Sequence, residues 1–131
     1  MDVELLIKEI LDCAREVRKE LKQGFEEKVY KNAMFYEMKS RGLQVDTVVQ
    51  YAVHYKNHLI GKYFADMVVN ECVVIELKAN NALCKANEVQ LVNYLNASKI
   101  EDGLLINFGS EKLECKRKFR QYRSTKTEHK N

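Results

Sequence analysis

Asp66 and the segment Val73-Val-Ile-Glu-Leu-Lys78 put ionisable side chains into the most apolar stretch of the chain. Burying a charge is costly unless it is paired or bound to a metal, so residues placed this way hold either a counter-charge or a site. On a strand, Glu76 and Lys78 share one face while Ile75 and Leu77 share the other. A hard divalent cation such as Mg²⁺ takes oxygen ligands, usually one or two carboxylates, with water and substrate phosphate completing its shell. Asp66 and Glu76 can supply that pair. Lys78 is then placed to orient or help deprotonate an attacking water and to offset charge on a phosphate, as metal-assisted hydrolysis requires. A bare Glu-x-Lys is a common tripeptide, and alone it reads as an ordinary salt pair on an edge strand. Two further pairs add to it: Gln90 and Tyr94 stand at i and i+4, Glu27 and Tyr30 at i and i+3, so each pair shares a helix face. Physical chemistry alone reads the tyrosines as packing with wet hydroxyls and Glu27 as a first-turn acid favoured by the helix dipole.

The elements that must position these residues follow from hydrophobic spacing. From Val3 to Leu21 the apolar residues Val3, Leu6, Ile7, Ile10, Cys13, Ala14, Val17 and Leu21 recur at three- and four-residue steps, which predicts an amphipathic helix. Gly24 interrupts the pattern, and Phe25, Val29, Ala33 and Tyr36 carry a second helix to Arg41, with Gly42 as its stop. Between Val45 and Lys78 the residues turn β-branched and aromatic, punctuated at Lys56-Asn57 and Asn70-Glu71, which predicts three strands in an antiparallel meander. Ala86, Val89, Leu91, Val92 and Leu95 describe a third helix ending near Ser98. Gly103 to Asn107 reads as a buried strand, and Leu113 to Phe119 as a charge-rich edge strand. The order is ααβββαββ. A two-residue turn at Asn70-Glu71 would set Asp66 opposite Ile75, off the face of Glu76, so a working site requires a three-residue connection or a β-bulge between them.

Composition bounds the classes. The 131 residues are 46% apolar and 31% charged, values that favour neither disorder nor a fibrous class, and they read as one domain over residues 1–119 with a basic tail at 120–131. No apolar run approaches the ~20 residues that span a bilayer, and the N-terminus MDVELLIKEI is acidic where a signal peptide would be basic, so a cytoplasmic protein with no membrane partner is expected. Cys13, Cys72, Cys84 and Cys115 are scattered without a Cys-x-x-Cys pair, which removes zinc-ribbon and iron–sulfur readings and leaves buried or incidental thiols. The net charge of +3 is uneven: residues 116–131 hold seven Lys or Arg against one Glu. Lys116, Arg117 and Lys118 therefore read either as the start of a solvated end or as a phosphate-contacting arm.

Five blocks taken in order resemble the GxxExxY protein family, which is grouped with the PD-(D/E)XK nucleases. They are Gly24-Phe-Glu-Glu27-Lys-Val-Tyr30, Ala65-Asp66-Met-Val-Val69, Val74-Ile-Glu76-Leu-Lys78, Gln90-Leu-Val-Asn93-Tyr94-Leu95 and Gly103-Leu-Leu-Ile-Asn-Phe-Gly109. The resemblance runs from about Leu6 to Phe119. It implies an α/β (α+β) fold with a restriction-endonuclease-like core, a central mixed sheet flanked by helices. It also implies that Glu27, Asp66 and Glu76 converge on Mg²⁺ or Mn²⁺, with Lys78 catalytic beside them and Gln90, Tyr94 and Tyr30 toward the substrate. One departure is Asn87, which stands where the family often shows a His; the acidic and lysine positions are intact, so it points to altered substrate choice. The implied function is a metal-dependent nuclease hydrolysing phosphodiester bonds of DNA or RNA; small nuclease cores often dimerise to cut two strands, so a homodimer is among the expected partners. The alternative is a non-catalytic nucleic-acid-binding or protein-interaction module that keeps the fold.

Overall fold

The structure is a computed structural model and describes residues 1–120. Helix α1 (Val3–Leu21) opens on Asp2, whose carboxylate accepts from the Glu4 N–H at 2.8 Å, and closes where Lys22 turns to φ 63° and returns its N–H to Arg18 O. Helix α2 (Glu27–Ser40) begins two residues later than its apolar spacing suggests, because Phe25 belongs to the link between the helices. Strands β1 (Val45–Tyr55), β2 (His58–Val69) and β3 (Val73–Lys78) form the expected antiparallel meander. Helix α3 (Lys85–Ser98) then crosses over to β4 (Asp102–Asn107), which lies parallel to β3, and β5 (Glu114–Phe119) returns antiparallel at the edge. The sheet order is β1-β2-β3-β4-β5, a mixed sheet with helices on both faces.

Two cores result, one on each face. Helices α1 and α2 bury Leu6, Ile10, Tyr30, Met34 and Met38 against Met67, Ile75, Leu77, Leu104 and Ile106. Helix α3 buries Leu91 and Leu95 against Tyr63, Ala65, Val68, Val74 and Leu105. Strand β3 is covered on both sides, which is why its sequence reads as a continuous apolar run and why Glu76 is buried within it. Gly103 suits this close approach, since a Cβ would stand 3.1 Å from the methyls of Leu91 and Leu95, which seat α3 on β4 and would have to shift by a few tenths of an ångström. Among the described residues no helix is long and apolar enough to cross a membrane.

The long β1–β2 ribbon changes face midway. Val45 packs toward α1 and α2, yet Val49, four residues on, packs toward α3. On β2 the same switch separates Met67, on the α1–α2 side, from Ala65 on the α3 side. The register is unchanged across it, with Thr47 opposite Met67 and Val49 opposite Ala65. The pair between is Val48 and Asp66, and Val48 has φ 53°, a conformation that a β-branched residue seldom adopts. The kink therefore falls at the acidic residue singled out above.

Candidate active site

Val69 pairs with Val73, so Asn70, Glu71 and Cys72 make a three-residue connection, as a working site requires. Asn70 and Glu71 both take positive φ, and Cys72 N–H closes the turn on Val69 O at 2.9 Å. Counting back along both strands sets Asp66 across from Glu76. Main-chain pairing, however, stops one step earlier, at Met67 and Ile75. From there the carboxylates take over the ladder: Asp66 N–H donates to Glu76 Oε2 at 3.1 Å, and Leu77 N–H donates to Asp66 Oδ2 at 2.8 Å. Both acids are held in the gap where β2 and β3 part, each fixed by the backbone of the opposite strand.

Glu76 is 8% exposed, and its carboxyl is pushed up to about 7, first by burial and then by the charge of Asp66; the Asp66 N–H bond and the charges of Lys78 and Lys31 act in the opposite direction. Two neighbouring acids in a sheltered gap are short of positive charge. Lys78, two residues along β3, is partly exposed at the strand end. Its main chain is fixed by β4: Phe108 N–H donates to Lys78 O at 2.9 Å. Just beyond, buried Asn107 accepts from the N–H of Asn80 and of Gly109, and donates to Asn80 O and to Glu114. Gly109 lies so close to the backbone of Ala79 and Asn80 that a Cβ would overlap both. The block Gly103–Gly109 thus clamps the main chain where β3 ends at Lys78.

From α2, Glu27 does not reach this gap alone. Lys31, one turn on, spans from Glu27 Oε2 (3.1 Å) to Asp66 Oδ1 (2.8 Å). Burial opposes the charge on Lys31, but hydrogen bonds to Asp66 and Glu27 hold its ammonium above the ordinary lysine range. Sequence reasoning missed Lys31, although its i,i+4 spacing from Glu27 was the signal available. On the other side, the Tyr94 ring stacks on Tyr63 with centroids 3.8 Å apart, and Tyr63 in turn stacks on Tyr51. The Tyr94 hydroxyl is held above its usual value by burial and by the charges of Glu76 and Asp66, so it lies in the field of both acids. Gln90 is exposed one turn earlier on α3. Tyr94 also lines a cleft of about 830 Å³ between β1 and α3 whose polar residues include His54, Asn93, Asn96 and Lys99.

Three expectations need correction. Tyr30 does not face substrate: it is fully buried, stacked on Phe108, with its hydroxyl accepting from Phe25 N–H and donating to Lys22 O. It fixes the link between α1 and α2 because an i,i+3 spacing from Glu27 sets both on α2 but not both outward. Arg117 is held by Glu4 at 2.7 and 2.9 Å and by Asp102 at 2.8 Å, on the α1 face, and Lys118 is held by Glu88 at 3.0 Å. Their charges are spent inside the fold, which leaves Lys116 as the exposed member of the cluster. Finally, among the described residues no three His, Cys, Asp or Glu side chains form a ready ligand group, so Glu27, Asp66 and Glu76 are not assembled as a triad. The tail beyond Arg120 lies outside the described residues. Asn87, at the departure from the family pattern, caps α3: its Oδ1 accepts from Cys84 N–H at 3.0 Å.

The donor chemistry still fits a hard divalent cation. Asp66 and Glu76 make the two-carboxylate set that Mg²⁺ commonly takes, the rest of its shell being water and phosphate, and the raised carboxyl of Glu76 marks a place where added positive charge is favourable.

Comparison with known proteins agrees with the fold. The family described as the PD-(D/E)XK nuclease superfamily matches residues 4–118. The crystal structure of SSO0001 is similar in fold, with a TM-score of 0.55 at 15% identity, covering 79% of this chain; the chain spans 59% of that protein. No curated protein matches. With a mixed five-stranded sheet, helices on both faces and an acidic pair followed by Lys78 where β2 and β3 part, the chain belongs to the PD-(D/E)XK nuclease superfamily.

Proposed function

We propose that the protein is a metal-dependent phosphodiesterase acting on DNA or RNA, of the GxxExxY branch of its superfamily. The observation that carries this reading is the Asp66–Glu76 pair, which replaces main-chain pairing at the parting of β2 and β3, with Lys78 next on the face of Glu76. Asp66 and Glu76 would hold Mg²⁺ or Mn²⁺; when bound, such an ion polarises the phosphate and lowers the pKa of a bound water. Lys78 orients the attacking water and offsets charge on the phosphate. Glu27 acts at one remove, through Lys31 or a water, and Tyr94 with Gln90 presents a polar, partly stacked surface to the nucleic acid beside the β1–α3 cleft. Lys116 is the remaining candidate of its cluster for a phosphate contact. A homodimer presenting two sites to two strands belongs to the same proposal.

The test is cleavage of single- and double-stranded DNA and RNA with Mg²⁺ or Mn²⁺. Lys78→Ala should lose about 10²-fold or more in rate while keeping metal binding, and Asp66→Ala should lose both. Cleavage that survives Lys78→Ala would refute the assignment of that residue. A second reading rests on Lys31: an ammonium already seated on Asp66 suits a site that has exchanged its metal for a fixed cation and kept the fold for binding nucleic acid or protein. No cleavage and no metal binding together would favour it.

A further inference from the structure

Asp66 is 15% exposed at its side chain, and both its oxygens are engaged, Oδ2 by Leu77 N–H and Oδ1 by the Lys31 ammonium. An ion that takes Asp66 as a ligand must share one of them. The Leu77 N–H belongs to the buried strand β3 and cannot withdraw without moving the sheet. Lys31 can, because its charge sits on a flexible four-carbon stem. Its side chain is 34% exposed, and it borders a groove of about 330 Å³ between α2 and β1, lined also by Asn32, Phe35 and Thr47. Two cations on one carboxylate oxygen repel each other, whereas Glu27, on the same helix, can keep Lys31 after it has left Asp66.

We propose that Lys31 is a built-in counter-cation that competes with the divalent ion for Asp66, and that it swings off Asp66 Oδ1 toward Glu27 and the α2–β1 groove when the ion binds. This rests on the metal-dependent reading above. It gives the site two states, each with positive charge set against Asp66. With Lys31 seated, the acids of the gap are partly neutralised by a protein group. With the ion seated, Lys31 is released at the mouth of the site, where a nucleic-acid phosphate could meet it.

The full-length chain, freed of metal with a chelator, is titrated with Mn²⁺ by calorimetry as wild type and as Lys31→Met, which keeps the stem and removes the charge. The expected result is Mn²⁺ binding at least tenfold tighter in Lys31→Met. A second measurement uses the wild type alone, so that it stands even where the variant does not fold. Labelling by an amine-acetylating reagent is followed by peptide mass spectrometry with exposed Lys8 on α1 as internal reference. Labelling of Lys31 relative to Lys8 should rise several-fold on saturation with Mn²⁺. Equal or weaker Mn²⁺ binding by Lys31→Met, or labelling that Mn²⁺ leaves unchanged, would overturn the competition while leaving the metal reading in place. Absence of Mn²⁺ binding in both proteins would remove the metal reading and this inference with it.

Discussion

Glu76 should make the protein less stable as pH rises, and the size of the effect follows from its surroundings. Its carboxyl, ordinarily near 4.5, is raised to about 7 in the fold, first by burial and then by Asp66; Lys78 and Lys31 oppose the shift, and Tyr63 and Tyr94 close the α3 side. Between these two values the folded protein keeps a proton that the unfolded chain has lost, so stability falls with rising pH. The favourable contribution is complete below about pH 4.5 and gone above about pH 7. At about 1.4 kcal/mol per pH unit the full difference is worth about 3 kcal/mol, a large share of the ~5–15 kcal/mol that holds a domain folded. Replacing Glu76 by Gln removes the titration and keeps an oxygen to accept the Asp66 N–H. Urea unfolding in chelator at pH 4, 6, 7 and 8 should therefore give closely matching stabilities at pH 4 and a Glu76→Gln variant about 2–3 kcal/mol more stable at pH 8. The two proteins differ only at residue 76, so the difference between their profiles isolates Glu76. Parallel pH profiles for the two proteins, or a variant that is less stable at pH 8, would refute the account of Glu76 as a buried, like-charge-crowded acid.

Gly109→Ala should lower stability by about 2–3 kcal/mol, read as a lower urea midpoint, because the new Cβ overlaps the backbone of Ala79 and Asn80. Tyr30→Phe should cost about 0.5–1.5 kcal/mol in the same assay by removing the part-buried hydrogen bonds to Lys22 O and Phe25 N–H, while any nuclease rate at matched folding stays unchanged. Val48→Gly should be neutral to about 1 kcal/mol stabilising, since relief of φ 53° outweighs the flexibility gained by the unfolded chain, and Val48 is 66% exposed and gives up little burial.

Local pattern determined much of this protein. The three helices follow from apolar steps of three and four. The run Val73–Leu77 read as the most apolar strand of the chain, and acids within such a strand had to be satisfied by something, whereas its cover on both faces came only from the packed helices. Asp66, Glu76 and Lys78 were therefore legible as a group, and the need for a three-residue connection followed from the two-residue period of a strand. What the sequence could not carry is which partner each charge finds across the fold. Arg117 looked like a free basic residue until Glu4, 113 positions away, closed on it. Tyr30 shares α2 with Glu27, but it is buried because Phe108 and the α1–α2 link pack around it. The change of face at Val48 and Asp66 has no sequence period, because both strands kink together and the register is kept. Lys31 was the largest omission: on its helix it is one half of a common Glu–Lys pair, and it becomes part of the site because β2 brings Asp66 to within 2.8 Å. Spacing along the chain fixes which residues share a face, whereas side chains far apart in sequence meet only when the sheet and helices are packed together, so tertiary structure decided which charges reached the site and which were neutralised elsewhere.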